Sequence, residues 1–138
     1  LLWLLASHAG NVLSRDDLIE QYHHKLLRSE TRDGHTIYVI ESVPKETAPV
    51  VWGREVVTVR DDYVLLEHAF YDQQGVLVKK LTTQELKPMG GKIVATRQRM
   101  QRVDKDQEWT DVITREADFG INIPASMFTL TNLRNPRE

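Results

Sequence analysis

The sequence predicts a mainly β protein built on a curved antiparallel sheet with one or two short helices, and three observations carry that prediction. Apolar and polar residues alternate with a period of two over long stretches, as in YVLLEHAFYDQQGVLVKKL from Tyr63 to Leu81. Turn residues punctuate the chain at fairly even spacing, at Asp33-Gly34, Gln74-Gly75 and Gly90-Gly91. Helix signals are few, so the apolar side of the sheet lacks helical cover and must be protected by curling into a half-barrel or by residues outside this chain.

The elements follow in order. The opening LLWLLASHAG favours a buried strand over Leu1 to Leu5, with the tail of a secretory signal as the alternative. It is far shorter than the roughly 20 apolar residues a membrane-crossing helix requires. Arg15 to Gln21 reads as a short helix, with Ser14 as N-cap and Asp17 three residues on. YHHKLLRSE then runs to the Asp33-Gly34 turn, whose residues suit the positive φ of a tight hairpin. HTIYVIESV is its partner. Ile37, Val39 and Glu41 fall on one face and Tyr38 and Ile40 on the other, which places this strand inside the sheet.

PKETAP is a connector, because Pro44 and Pro49 offer no amide to a ladder. VVWGREVVTVR ends at Asp61-Asp62. In the next strand Val64, Leu66, His68 and Phe70 share one face, and Leu65, Glu67, Ala69 and Tyr71 the other. VLVKKLTTQELK and KIVATRQRMQRV form a further hairpin, and QEWTDVITREADF is the last strand, its odd and even residues alternating. Pro124 to Phe128 reads as a second short helical turn. The sum is about six strands in a meander, in one domain.

Composition narrows the function. The chain has 138 residues, 18 basic against 20 acidic, for a formal charge of −2, so no strong field gathers nucleic acid. Cysteine is absent, which removes disulfides, thiolate nucleophiles and cysteine-bound zinc. His23 and His24 are adjacent on a strand and point to opposite faces, so they cannot chelate one ion together. His68 reads as a hydrogen-bonded histidine at a sheet margin rather than a general base. The aspartate pairs at 16–17 and 61–62 read as backbone caps. No nucleophile elbow, phosphate loop, dinucleotide glycine pattern or zinc-helix motif is present. RQRMQR, from Arg97 to Arg102, alternates faces and reads as a solvated sheet surface. Trp52, Leu66, Phe70, Val94, Met100 and Ile113 remain, either as a compact core or as the lining of an apolar groove.

Three stretches resemble one known family. SHAGNVLSRDDLIE is similar to the glycine, small-polar and Asp-Asp-Leu segment of LolA-like outer membrane lipoprotein-sorting proteins. DGHTIYVIESVPK and VVTVRDDYVLLEHAFYDQQGVLVKKLT resemble its central hairpins, and IPASMFTLTNLRN its terminal proline turn and strand. The resemblance runs in order from Ser7 to Asn135. It implies an incomplete LolA/LolB-like β-barrel around an apolar cavity, and a non-enzymatic periplasmic carrier without cofactor or metal. Its implied partners are a lipoprotein acyl chain or another lipid, an inner-membrane transporter and an outer-membrane acceptor. The six residues named above become candidate cavity liners. The family carries further residues before Ser7 and between the Asp-Asp-Leu element and Tyr22, so the chain is expected to be the C-terminal part of a larger half-barrel, with segments omitted at Ala6/Ser7 and Gln21/Tyr22. The rival expectation is an adaptor module that binds a membrane transporter through its sheet.

Overall fold

The computed structural model describes residues 20–46, 48, 51–105 and 107–122. Seven strands follow one another: β1 (Tyr22–Arg32), β2 (His35–Pro44), β3 (Arg54–Arg60), β4 (Leu65–Tyr71), β5 (Leu77–Met89), β6 (Lys92–Arg102) and β7 (Trp109–Ile113). They form one sheet in sequence order, antiparallel throughout. The sheet is open, with β1 and β7 at its edges, as an incomplete barrel requires. The strand at Leu1 to Leu5, the Ala6/Ser7 join and the turn at Pro124 to Phe128 lie outside the described residues, as does most of the expected helix at Arg15 to Gln21.

The described residues hold seven strands where about six were expected, and the last is shorter than its alternation suggests. Its ladder stops at Ile113, opposite Arg97. Register shifts between Thr83, Glu85 and Leu86 lie level with that pair. Bulges of this kind bend a strand and raise its twist, which carries β6 away from a straight partner.

Turn chemistry sets the hairpins. Arg32 pairs with His35 across Asp33 and Gly34, whose φ values are 52° and 78°. Two consecutive positive values define the mirror-image turn that matches strand twist. At the β4–β5 turn, the Asp72 carboxylate accepts from the amides of Gln74 at 2.9 Å and Val76 at 2.8 Å. Asp61 caps likewise, accepting from the Thr36 amide at 2.9 Å.

Cross-strand partners share a face, so the register sorts the side chains. The first face carries Tyr22, Ile40, Glu55, Val57, His68, Phe70, Lys79, Leu81 and Met100. The second carries Ile37, Val39, Val56 and Ala69 toward β2–β4, then Glu67, Lys80, Arg97, Arg99 and Asp111 toward β7. Ile37, Val39, Ala69, Phe70 and Tyr22 are buried, so the dense packing sits at β1–β4 and involves both faces. Ion pairs on the second face join Arg54 to Glu41 between β3 and β2, Lys80 to Glu67 between β5 and β4, and Arg99 to Asp111 between β6 and β7.

Candidate functional site

The register builds an apolar row across the first face. Leu26 pairs with Ile40, Ile40 with Val57, Val57 with His68, His68 with Leu81, Leu81 with Met100, and Met100 with Thr110. One residue comes from each strand. The five intervals of about 4.8 Å from Leu26 to Met100 make the row roughly 24 Å long before it ends at Thr110, against about 15 Å for one leaflet's share of bilayer hydrocarbon. Ile40, Val57, Leu81 and Met100 are half-buried, and Leu26 is exposed.

A buried polar cluster adjoins the row. His68 hydrogen-bonds Glu55 Oε2 through Nε2 at 2.6 Å, and Tyr22 donates its hydroxyl to Glu55 Oε1 at 3.3 Å. The His68 and Glu55 side chains are 9% and 7% exposed, so this pair is withdrawn from solvent. Burial, and then the Glu55 carboxylate, pushes the Tyr22 hydroxyl well above the usual phenol range. The His68 ring stacks on Phe70 at 4.0 Å, and Trp52 packs on Phe70 at 5.4 Å. The Lys79 ammonium lies 4.8 Å from the Trp52 ring and 5.0 Å from the Phe70 ring. Burial lowers the Lys79 pKa, opposed by the nearby Glu55 charge.

His68 is therefore hydrogen-bonded but not marginal: β4 is the central strand of the seven, and both neighbouring strands cover it. A single alternating run cannot reveal its place in the strand order. Tyr22, Glu55 and Lys79 were not singled out by sequence reasoning. The one available signal was Glu55 itself, the single acid of the apolar strand REVVTVR.

Of the six candidate liners, the structure brings Trp52 and Phe70 into contact. Met100 stands in the apolar row two strands away. Leu66 lies at the register shift between β3 and β4. Val94 pairs with Lys87 near the far end of the β5–β6 hairpin. Ile113 pairs with Arg97 on the second face and is 61% exposed, so it does not join the others.

A second cluster lies at the β3–β4 turn, where His35, Asp61 and Asp62 place ligand atoms within 4.8 Å of one another. Arg60 occupies this cluster. Its guanidinium donates to Asp62 at 2.5 Å and to His35 Nε2 at 3.0 Å, which leaves Nδ1 to donate to Asp61 at 2.8 Å. The Thr36 amide, then His35, holds the Asp61 carboxyl below the usual range. These bonds staple the turn to the start of β2.

Solved structures share this architecture. A DUF1329 family protein from Desulfovibrio piger is 26% identical, with a TM-score of 0.65 over 94% of this chain and 56% of its own. A domain described as a candidate outer membrane lipoprotein-sorting protein, from Vibrio parahaemolyticus, is 24% identical, with a TM-score of 0.66 over the same shares. A LolA superfamily protein from Nitrosomonas europaea is 21% identical, with a TM-score of 0.55 over 91% of this chain and 59% of its own. The chain thus spans between 56% and 59% of the length of these structures. No curated protein matches it.

The open meander is the LolA-like incomplete barrel. A family model whose description reads only "uncharacterized protein" matches residues 7–135, and the chain belongs to that family.

Proposed function

We propose that this chain is the C-terminal part of a non-enzymatic periplasmic carrier that holds lipoprotein acyl chains, or another lipid, along the first face for transfer toward the outer membrane. The observation that carries this reading is the apolar row from Leu26 to Met100, which runs across the strands and continues past the polar centre at His68. Each buried methylene contributes about 0.8 kcal/mol, so such a strip can retain an acyl chain without a catalytic group. The LolA-like fold supports the same direction.

Phe70 and Trp52 close one side of the proposed strip, and Met100 lies along it. The Glu55–His68 pair is the arrangement nearest to a catalytic dyad. Its burial and its place within the sheet suit a structural role, since a general base must reach a substrate proton.

A fluorescent acyl probe tests the reading. The protein is expected to bind it, Leu81→Asp and Met100→Asp are expected to weaken binding about tenfold or more, and Lys80→Asp, on the second face, to leave it unchanged. Equal losses from both faces in folded variants would contradict the proposal. An empty protein that captured a membrane transporter would favour the adaptor.

A further inference from the structure

The segment from Trp109 to Ile121 runs along the free side of β6, from Trp109 opposite Gln101 to Phe119 beside the β5–β6 turn, and exposes four large apolar side chains besides Val112, which faces the other way. Trp109 is 51% exposed, Ile113 61%, Phe119 44% and Ile121 61%. Three of them stand beside cations. The Arg99 guanidinium lies 4.6 Å from the Trp109 ring, the Lys92 ammonium 4.9 Å from the Phe119 ring, and Arg97 pairs directly across from Ile113. Arg97 and Arg99 both bind Asp111, at 2.7 Å each, so two guanidinium groups face one carboxylate. Arg115 is a further exposed cation beside exposed Lys92 and Arg97 and half-buried Arg99, while Glu116 and Asp118 are the remaining acids of the segment. The overall charge of the chain is −2, yet β6 and this segment together carry five cations, Lys92, Arg97, Arg99, Arg102 and Arg115, against three carboxylates, with Arg102 tied to Asp104 in the loop between them.

We propose that this edge docks on the surface of an anionic phospholipid bilayer. Tryptophan and phenylalanine settle at the headgroup boundary, where their rings are apolar and their surroundings wet. Arginine and lysine stems lie along apolar surface while their charged heads reach lipid phosphates. The arrangement here supplies both at once, on a strand that is at the sheet's edge among the described residues. Ile113 and Ile121 give the apolar contact area on which interfacial binding depends. Trp109 and Ile113 lie on the second face, opposite Gln101 and Arg97, whereas the proposed acyl row touches β7 only at Thr110 on the first, so this inference stands without lipid carriage.

Co-sedimentation with vesicles tests it, using phosphatidylcholine alone and the same lipid with phosphatidylglycerol added. The protein is expected to bind the mixed vesicles and to bind pure phosphatidylcholine far less. Trp109→Ser with Phe119→Ser is expected to weaken binding about tenfold or more. Arg97→Gln with Arg99→Gln is expected to abolish the preference for phosphatidylglycerol. The chain has no cysteine, so Ile121→Cys, within the proposed patch, and Lys25→Cys can each carry one environment-sensitive dye while Trp109, Phe119, Arg97 and Arg99 stay in place. A blue shift at position 121 and none at position 25, at the opposite edge, is the expected result. No vesicle binding, no shift at 121, or binding of an acidic peptide in place of vesicles would overturn the proposal. A protein that docks on vesicles but takes up no acyl probe would sustain this inference while defeating carriage.

Discussion

Glu55 shows most clearly how one side chain is fixed by its neighbours. Its carboxylate, nearly dry, accepts from Tyr22 on β1 and His68 on β4. Removing one member of a buried pair strands the other, at a cost of about 3–5 kcal/mol. Glu55→Leu is therefore expected to lower unfolding stability by about 3 kcal/mol in urea titration. The double variant with His68→Leu should regain part of that loss, because the imidazole is no longer stranded and only the Tyr22 hydroxyl loses its acceptor. Additive losses would show that the two groups act separately. Phe70, stacked on His68 and Trp52, faces the proposed ligand strip. Phe70→Asp is expected to weaken acyl-probe binding more than Lys80→Asp, and equal losses in folded protein would refute that face assignment. The shared face of His68 and Phe70 was legible from period-two spacing. The Glu55–His68 bond was not, because it joins residues 13 apart through a register that no local pattern states.

At the scale of elements, the hairpins were legible where glycine chemistry dictated them and less so where strands end. Asp33-Gly34 and Gly90-Gly91 both close two-residue turns with positive φ. Gly53 plays a different part: a Cβ there would collide with the Asp72 carbonyl oxygen and lie 2.8 Å from Gln73 Cα, both backbone atoms. Gly53→Ala is expected to cost about 2 kcal/mol, whereas Gly34→Asn should cost under about 1 kcal/mol, since asparagine tolerates a left-handed conformation. Comparing their urea midpoints checks the contrast. The β6–β7 pairing has an acid limit. Arg99, then Arg97, holds the Asp111 carboxyl well below the usual carboxylate range. Because the folded value is the depressed one, its contribution is present above about pH 4 and is lost as pH falls below it. Asp111→Asn is thus expected to be less stable than the parent near neutrality, with the difference shrinking on acidification. Thermal unfolding from neutral pH to about pH 2 follows it. A constant difference would show that the charge contributes nothing.

For the whole molecule, alternation without helical cover was enough to anticipate an open, mainly β meander, and the observed sheet keeps every strand beside its sequence neighbour. The division of labour between faces was harder to read. Both faces bury apolar groups near β2–β4, and the second face also carries ion pairs on either side of them, Arg54–Glu41 between β3 and β2 and Lys80–Glu67 and Arg99–Asp111 from β4 to β7. Ile113 illustrates the limit: its apolarity suggested a liner, but a strand's phase relative to its neighbours depends on bulges in β5 that set the register upstream. The apolar row emerges only after all six pairings are known. Its proposed role is most directly tested by native mass spectrometry of the protein taken gently from cell-envelope extracts. A lipid or acylated peptide that stays bound, and disappears in Met100→Asp, is the predicted result. A protein that is reproducibly empty, or whose bound lipid survives that substitution, would contradict it.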